Sequence, residues 1–261
     1  IRKGRIKKIL RFLSEDINIF VAGPEGGFPL AGTYNGKHEV QAYLQEYYSR
    51  IRIKKFTVHY NLIENNKINS HIQIKGRVRE TGKTFDQIFV YCWEIDDAGL
   101  IGKLMIFYDT YTFSQAFEAG GSQYVSDIKP PNLEIDPSGV GARDTVLAWS
   151  DAFVQGDMET FVDLMSPDIL WMLNGNPEIP FCGTFYGQSG ALEFLGLLLS
   201  TATYGYQDIQ DTFEYGNRFD AFVLEEFTCN ETGKTIFCPI LQSYIVEDGK
   251  ITEFMSYNDS F

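Results

Sequence analysis

The chain has 261 residues, of which 44% are hydrophobic and 22% are charged, enough for a sizeable core in one large or two small domains. Its longest apolar stretch, residues 191–202, is shorter than the roughly twenty residues that a membrane-spanning helix needs. A net charge of −13 would repel a phosphate backbone. Fibrous and disordered classes are thus excluded, nucleic-acid and membrane partners are disfavoured, and a small-molecule or protein partner is expected.

Cysteine and histidine usage argues against metal and redox chemistry. The four cysteines show neither the paired spacing of a zinc site nor that of a redox motif, so we expect free thiols in a cytoplasmic protein. Cys229 and Cys238 would face each other across a hairpin, but a reduced pair is the simpler interpretation. All three histidines lie in the first half of the chain, which disfavours a histidine-rich cluster. No metal and no cofactor are therefore expected.

The second half of the chain repeats the first. Three motifs recur in the same order, two at an offset of 151 residues and one at 150: 32–36 as 183–187, 80–84 as 231–235, and 105–109 as 255–259. Three matches in one order indicate a duplication. Between the copies, residues 115–138 have the Gly, Pro and Ser content of a linker. We therefore predict one domain over 1–114, a linker over 115–138 and a second domain over 139–261.

The two halves carry opposite charge. Residues 1–130 have a net charge of +4, and residues 131–261 have one of −17. Their attraction would help to hold the two domains as an internal pseudo-dimer, but exposed charges beyond a Debye length of about 8 Å are screened at physiological salt. Apolar burial must supply most of the stability of such a pairing. Further homo-oligomerisation is left open.

Hydrophobic periodicity predicts helices first and strands later in each copy. In the first copy, residues 5–12 form a predicted helix that aligns with the second helix of the other copy. In the second copy we predict, in chain order, helices over 142–153 and 158–165, a strand over 169–173, a helix over 189–199, and strands over 208–215, 220–229, 235–246 and 251–257. The counterpart of 142–153 either lies upstream of Ile1 or is lacking. Helices followed by an antiparallel sheet indicate the α+β class.

The ordered motifs of the second copy resemble the SnoaL-like polyketide cyclases of the nuclear transport factor 2-like superfamily. The resemblance covers nearly all of both copies and rests on Trp149, 152–153, Gly156, Asp157, 183–187, 232–234, 248–251, Tyr257 and Asp259. It implies two tandem cone-shaped domains, each with helices closed over a curved antiparallel sheet around an apolar ligand pocket. It also implies that the two cones pair through their sheets, here within one chain.

The same resemblance points to an aspartate as the catalytic acid or base. Polyketide cyclases of this family use an Asp at the end of the last strand, and Asp109 and Asp259 match that position. Strand alternation would place each carboxylate on one face with a methionine and an aromatic residue, and we expect this face to line the cone. Desolvation there would raise the pKa of the carboxyl group toward the working range of a general acid or base. The alternative is a solvated strand end.

Large side chains in both copies are candidates to contact a ligand, although core packing explains them equally well. We expect substrate-binding roles for Trp93 and Phe107 in the first copy and for Trp149, Trp171, Gln242, Tyr244 and Tyr257 in the second. Glu225 and Glu226 are consecutive on a predicted strand, so one of them would point inward and need a partner or a function. A strand near the sheet edge would leave both in water, which is the simpler interpretation, and His71 is likewise expected to be exposed.

Together these features predict a protein that binds a mostly apolar small organic molecule in a cone pocket and moves a proton by means of an aspartate. Cyclase, isomerase and lyase (dehydratase) chemistry all fit, each without a metal or redox cofactor. The alternative is a non-catalytic small-molecule-binding or assembly module in which side chains fill both cones. A ligand or void beside Asp109 or Asp259 would favour the enzyme, and packed cones would favour the module.

Overall fold

The computed structural model describes residues 3–23, 28–120, 123 and 130–258. They form two compact units, the first containing the described residues up to 123 and the second those from 130 to 258. Each unit combines helices with a six-stranded sheet, which confirms the predicted α+β class with two domains. The pairing of the two domains as a pseudo-dimer stays a prediction. Asp259 lies outside the described residues.

In the first unit, a short helix leads directly into the sheet. Its elements are α1 (Lys3–Ile9), a 3-10 turn (Leu10–Phe12), β1 (Leu13–Val21), β2 (Gly32–Asn35), α2 (Gly36–Arg50), β3 (Ile51–Glu64), β4 (Lys67–Val78), β5 (Thr84–Ile95), β6 (Ile101–Tyr108) and α3 (Thr110–Gln115). The helix predicted over 5–12 corresponds to α1 and the turn after it. No helix in the described part of this unit corresponds to the one predicted over 142–153.

The second unit begins with two helices. Its elements are α4 (Ala142–Gln155), α5 (Met158–Asp163), β7 (Met165–Leu173), β8 (Gly183–Tyr186), α6 (Gly187–Thr201), β9 (Ala202–Tyr215), β10 (Arg218–Cys229), β11 (Thr235–Glu247) and β12 (Lys250–Tyr257). Every helix and strand predicted for this copy is present. Periodicity does not reveal β8 or its counterpart β2, because each has only four residues and lies in a motif that resembles a turn.

The strands follow the same order in both sheets. The order is β2-β1-β6-β5-β4-β3 in the first sheet and β8-β7-β12-β11-β10-β9 in the second, which fits a tandem duplication. Neighbouring strands are antiparallel except that β1 runs parallel to β6 and β7 runs parallel to β12. The predicted antiparallel sheet is therefore mixed. A helix and a long meander separate the two strands of each parallel pair, so the last strand returns beside the first in the same direction.

The turn between α4 and α5 follows from two residues. Gly156 closes α4 in the left-handed conformation, with φ 72°, which glycine adopts without the steric cost of a Cβ atom. Asp157 then caps α5 by accepting a hydrogen bond from the backbone N–H of Thr160. The reversal brings both helices onto the same core, where the rings of Trp149 and Phe161 stack with centroids 4.8 Å apart.

Strand alternation divides the second sheet into a face covered by α4 and α6, called here the helix face, and an opposite face. The helix-face core contains Trp149 of α4, Phe194 of α6, and alternate strand residues that include Trp171, Phe219, Ala221, Val223, Ile240, Tyr244 and Phe254. Tyr244 pairs with Phe254, whereas Leu241 pairs with Tyr257. Tyr257 is thus buried on the opposite face, and the predicted orientation toward the cone interior is wrong.

In the first unit, too, the predicted orientation of the last strand is wrong by one residue. Tyr108 pairs with Phe89, and their rings stack with centroids 4.8 Å apart, whereas Phe107 pairs with Val90 on the other face. Met105 and Phe107 therefore point away from the face that carries Tyr108. Both faces of β6 are buried, so hydrophobicity alone does not tell which alternate set lies inside.

The structure also bears on the expected exposure of His71 and on the expected state of the cysteines. His71 is buried rather than exposed and stacks on Tyr60 with ring centroids 4.4 Å apart. It lies on β4, which has a neighbouring strand on each side, so the side chain is not at a sheet edge. All four cysteines are free thiols, as expected.

Candidate functional site

The helix face of the second unit carries a buried carboxyl group. Along β10, the alternate residues Phe219, Ala221 and Val223 belong to the apolar core, and the next residue with the same orientation is Glu225. Only 7% of Glu225 is exposed, whereas Glu226 is half-buried. The expectation that both glutamates are in water is wrong, because β9 lies outside β10 and α4 packs over both β10 and β11.

Two glutamines bind the same oxygen of Glu225. Gln207 of β9 donates from Nε2 to Oε1 at 2.7 Å, and Gln242 of β11 donates from Nε2 to Oε1 at 2.9 Å. The other oxygen, Oε2, accepts no hydrogen bond from any residue that the structure describes. One oxygen of the carboxyl group is therefore held by two amide donors, and the other is held by no described residue.

Each glutamine is oriented in turn by a hydroxyl group. Ser150 of α4 donates from Oγ to Oε1 of Gln207 at 3.2 Å, and the Tyr244 hydroxyl donates to Oε1 of Gln242 at 2.8 Å. With the carbonyl end of each side-chain amide engaged, the NH₂ end points at the carboxyl group. The five side chains form one network that joins α4 to three neighbouring strands.

Burial raises the pKa of Glu225 to about 7. The hydrogen bonds from Gln207 and Gln242 lower this pKa, but both donors are neutral and offset only part of the desolvation. Near neutral pH the group therefore exists in both protonation states, as an acid or base catalyst requires. Burial and the nearby carboxyl group raise the pKa of the Tyr204 and Tyr244 hydroxyls, so both remain protonated.

Aromatic rings surround Trp149 beside this network. The Trp149 ring lies 5.7 Å from that of Trp171 and 5.9 Å from that of Tyr244, and Trp171 lies 4.5 Å from Phe254, all measured between centroids. The indole Nε1 atoms of Trp149 and Trp171 are buried and have no hydrogen-bond partner among the described residues. An unsatisfied buried donor costs about 1–3 kcal/mol, so each of these N–H groups would gain from an acceptor on a bound molecule.

The structure brings together four of the predicted site residues. Trp149, Trp171, Gln242 and Tyr244 all lie on the helix face of the second unit. Trp93 lies in the first unit, where its Nε1 donates to Oγ of Ser70 at 2.9 Å. Phe107 of the first unit and Tyr257 of the second lie on the opposite faces of their sheets.

Asp109 has a clear local role. It is the residue before α3 and caps that helix: Oδ1 accepts from the backbone N–H of Thr112 at 2.9 Å, and Oδ2 accepts from the Thr112 hydroxyl at 2.5 Å. Both carboxylate oxygens are thus engaged within the same helical turn. The catalytic roles of Asp109 and Asp259 stay predictions.

Sequence reasoning did not select Glu225, Gln207 or Ser150. The signal for Glu225 is its place in the series 219, 221, 223, 225, in which three apolar residues precede a carboxylate of the same orientation. Ser150 and Gln207 have no such signal, because their contact depends on how α4 crosses β9. Among the described residues, no three His, Cys, Asp or Glu side chains are grouped as a metal site, and no helix has the length and apolarity to span a membrane.

Residues 146–254 match the family model described as the SnoaL-like domain. No curated protein sequence matches the chain. Nuclear transport factor 2-like proteins of known structure from Burkholderia xenovorans and Burkholderia thailandensis are each 19% identical, with a TM-score of 0.42, and cover 45% and 46% of this chain and 88% and 92% of their own. A hypothetical protein with a ketosteroid isomerase-like fold from Catenulispora acidiphila, in complex with trimethylamine, is 12% identical, with a TM-score of 0.38, and covers 44% of this chain and 84% of its own.

In both units, helices pack on a six-stranded mixed sheet. Residues 146–254, which lie within the second unit, are similar to the SnoaL-like domain, and the first unit has the same strand order as the second. The resemblance expected from the sequence is confirmed.

Proposed function

We propose that the second unit binds a mostly apolar small organic molecule on its helix face and exchanges a proton with it through Glu225. The observation that carries this proposal is the buried carboxyl group itself. Its pKa is about 7, one oxygen is held by Gln207 and Gln242, and the other oxygen accepts no hydrogen bond from the described residues. A structural carboxylate in a core is normally paired with a cation, and the two groups that hold Glu225 are neutral amides.

The surroundings of Glu225 define the class of substrate. Aromatic rings favour an apolar skeleton, and the indole N–H groups of Trp149 and Trp171 favour an oxygen that accepts hydrogen bonds. A carbonyl compound with an acidic C–H bond meets both requirements. Glu225 Oε2 would take the proton, the C–H electron pair would move toward the carbonyl oxygen, and the indole N–H groups would stabilise the enolate formed there. Return of the proton to another carbon completes an isomerisation. In a cyclisation the enolate carbon attacks a second carbonyl carbon of the same molecule and the proton goes to the oxygen of that carbonyl; in a dehydration the C–O bond of a hydroxyl group breaks and the proton leaves with it as water.

Glu225 takes the role that the sequence assigns to an aspartate. Asp109 uses both carboxylate oxygens to cap α3, which leaves it less suited to proton transfer. Asp259 lies outside the described residues, and a part for it in the reaction stays a prediction.

A second candidate function is a non-catalytic binding or assembly module. The observation that favours it is the packing of Trp149, Trp171, Tyr244 and Phe254, whose rings fill the helix face beside Glu225. In that case the carboxyl group would specify the arrangement of a polar network in the core, and no proton would be exchanged with a bound molecule.

Hydrogen–deuterium exchange at carbon separates the two functions. The probe is 2-tetralone, an apolar ketone with acidic C–H bonds, incubated in D₂O with the full chain and followed by proton NMR. We expect exchange above the buffer rate, and Glu225→Gln should reduce the enzyme-dependent rate by about 10²–10⁴-fold, the usual contribution of a general acid or base. Glu226→Gln, the neighbour with the opposite orientation, is the matched control and should keep the rate. Exchange that is equal for Glu225→Gln and the parent chain would exclude the catalytic role.

A further inference from the structure

Each sheet ends in a long strand that has a neighbouring strand on one side only. β3 is the outermost strand of the first sheet and β9 that of the second, and each has 14 residues. Among the described residues, no further strand pairs with either of them. The outer edge of such a strand offers backbone N–H and C=O groups to an additional strand, and charged side chains there control which strand can add.

The edge strand of the first sheet is basic and that of the second is acidic. Arg52, Lys54 and Lys55 of β3 are exposed, and none of them has an acidic partner among the described residues. The one acidic residue of β3 is Glu64, at its end. β9 contains no Lys or Arg, and its Asp208 is exposed and has no cation partner among the residues that the structure describes.

Like charges lie opposite each other beside the basic edge. Arg52 pairs with Arg77 of β4, and Lys55 pairs with Lys75. Like charges directly opposite on neighbouring strands destabilise a sheet. Asp86 forms an ion pair with Lys75, its Oδ2 lying 2.6 Å from Nζ, but not with the other three cations. Carboxylates on a strand added beside β3 would therefore be stabilising.

The side chain of Lys55 points away from the side on which a helix would cover the first sheet. Ile74 corresponds to Glu225 of the helix face at the offset of 151 residues, and it pairs with Phe56. Lys55 precedes Phe56 on β3, so it points to the other side. A helix placed like α4 of the second unit would leave Lys55 uncovered.

Asp208 has the same orientation in the second sheet. It pairs with Leu224, whereas Gln207, its neighbour on β9, pairs with Glu225 of the helix face. Lys55 and Asp208 therefore both point away from the helix side of their own sheets. This shared orientation is required if the two side chains are to meet across one continuous sheet.

The common strand order determines how the edges of two copies would meet. When the second sheet of one copy is turned by half a turn in its plane beside the first sheet of another, β9 and β3 become neighbours and both helix sides stay on the same side. Because β3 and β9 hold the same place in their sheets, the two strands are then antiparallel. Directly opposite residues of antiparallel strands point to the same side, so Lys55 can face Asp208.

The spacing of the charges fits this register. With Lys55 opposite Asp208, Arg52 is opposite Asp211, because three positions separate the charges on each strand. Each strand also has a bulge within this interval, between Ile53 and Lys55 on β3 and just before Asp211 on β9. The bulges keep both charged residues of a strand on one side of the sheet.

The same charges oppose the pairing of identical edges. Two β3 strands would bring lysine and arginine side chains together, and two β9 strands would bring aspartates together. Both combinations place like charges opposite each other, which is unfavourable. Of the three possible combinations, the charges therefore favour β3 with β9.

We propose that β3 of one copy of this chain pairs with β9 of a second copy, so that two sheets join edge to edge with Lys55 beside Asp208. The contact uses a different surface on each copy. Each end of the assembly thus keeps one unused edge, and further copies add to form a ring or an open chain. This assembly is independent of the function proposed for Glu225.

Charge reversal tests the contact, with sedimentation velocity of the full chain over a range of concentrations at constant salt. We expect the parent chain to form species larger than the monomer. Lys55→Glu and Asp208→Lys should each weaken association about tenfold, because an attraction is replaced by a repulsion. Lys8→Glu and Glu247→Lys are the matched controls: they change the net charge by the same amounts at exposed positions and should associate as the parent chain does.

Two combinations show whether the two edges meet each other. The chain with both Lys55→Glu and Asp208→Lys keeps the net charge of −13 and again has opposite charges across the contact, so its association should return to near that of the parent. An equimolar mixture of the two single variants should associate more strongly than either variant alone, because the altered β3 of one then meets the altered β9 of the other.

Three results would overturn the proposal. They are a parent chain that stays monomeric at every concentration, association that either single reversal leaves unchanged, and a double variant and mixture that associate no better than the single variants. Thermal unfolding shows whether each variant is folded. Both positions are exposed, so we expect all variants to keep the stability of the parent chain.

Discussion

The two units share one strand order but differ in the side chains at corresponding positions. In the second unit the buried polar groups lie mainly on strands, with Gln207, Glu225, Gln242 and Tyr244 on β9, β10 and β11. The first unit has Phe56, Ile74, Tyr91 and Trp93 at these four positions. Its α2 instead carries Tyr43 and Tyr47, where α6 carries Phe194 and Leu198.

This difference shows that two units with the same fold can carry different functional groups. A small number of side chains decides which chemistry each unit is capable of. One unit has a titratable carboxyl group with two amide donors. The other has tyrosine hydroxyl groups that stay protonated.

The largest effect on stability is expected when an acid is introduced into the first unit at the position that corresponds to Glu225. Ile74→Glu places a carboxyl group at a position that is 1% exposed and pairs with Phe56 rather than a glutamine. We expect the free energy of unfolding at pH 8 to fall by about 3–5 kcal/mol, as for other buried charges without a partner. Urea unfolding measures this change, with Ile74→Leu as the control, for which a loss below about 1.5 kcal/mol is expected. A stable Ile74→Glu variant would mean that the first unit can also accommodate an acid.

The pH dependence of stability should reveal Glu225 directly. Its pKa is raised from 4.5 to about 7 by folding, so the folded chain holds a proton that the unfolded chain has released between these values. Stability from this group is therefore complete below about pH 4.5, and it falls as pH rises toward 7, by about 3 kcal/mol in total. Glu225→Gln should remove this component, measured by urea unfolding at a series of pH values. Glu226→Gln should retain it, and a pH profile that is the same in Glu225→Gln and the parent chain would refute the raised pKa.

Loss of one amide donor should have a smaller effect on stability and a clear effect on the pKa. Gln242→Leu removes one of the two hydrogen bonds that lower the pKa of Glu225, so this pKa should rise above that of the parent chain. It also leaves the Tyr244 hydroxyl without its acceptor, and we expect a cost of about 1–2 kcal/mol. The 2-tetralone exchange profile should move to higher pH. Gln210→Leu, on the exposed side of β9, should leave the profile in place.

Much of the fold follows from the sequence because the signals are repeated and local. Turn motifs at a constant offset show the duplication, and periodicity gives the helices and strands of the second copy to within a few residues. The orientation predicted for the side chains of β6 and β12 was wrong for a physical reason. Both faces of these strands are buried, so nearly every residue is apolar and alternation does not tell which alternate residues face the helices.

The candidate site was less predictable because its residues meet only after folding. Gln207 and Gln242 are 18 and 17 positions from Glu225 and reach it from strands on either side. The sequence suggested that one of Glu225 and Glu226 would point inward, but it gave no means to place β9 outside β10. The family resemblance directed attention to the end of the last strand, where in the first unit the structure shows a helix cap.

The smallest effect on stability is expected for Asp109, the residue that caps α3. Asp109→Ala removes the acceptor for the Thr112 backbone N–H at the start of α3, which should lower the free energy of unfolding by about 1 kcal/mol. Asp109→Ser keeps a capping oxygen and should lose less. Neither change should alter the exchange of 2-tetralone, because Asp109 belongs to the first unit and Glu225, for which proton transfer is proposed, belongs to the second. A drop in exchange of tenfold or more in both variants, with stability largely kept, would instead return the catalytic role to Asp109 and would show that the two units divide their chemistry differently.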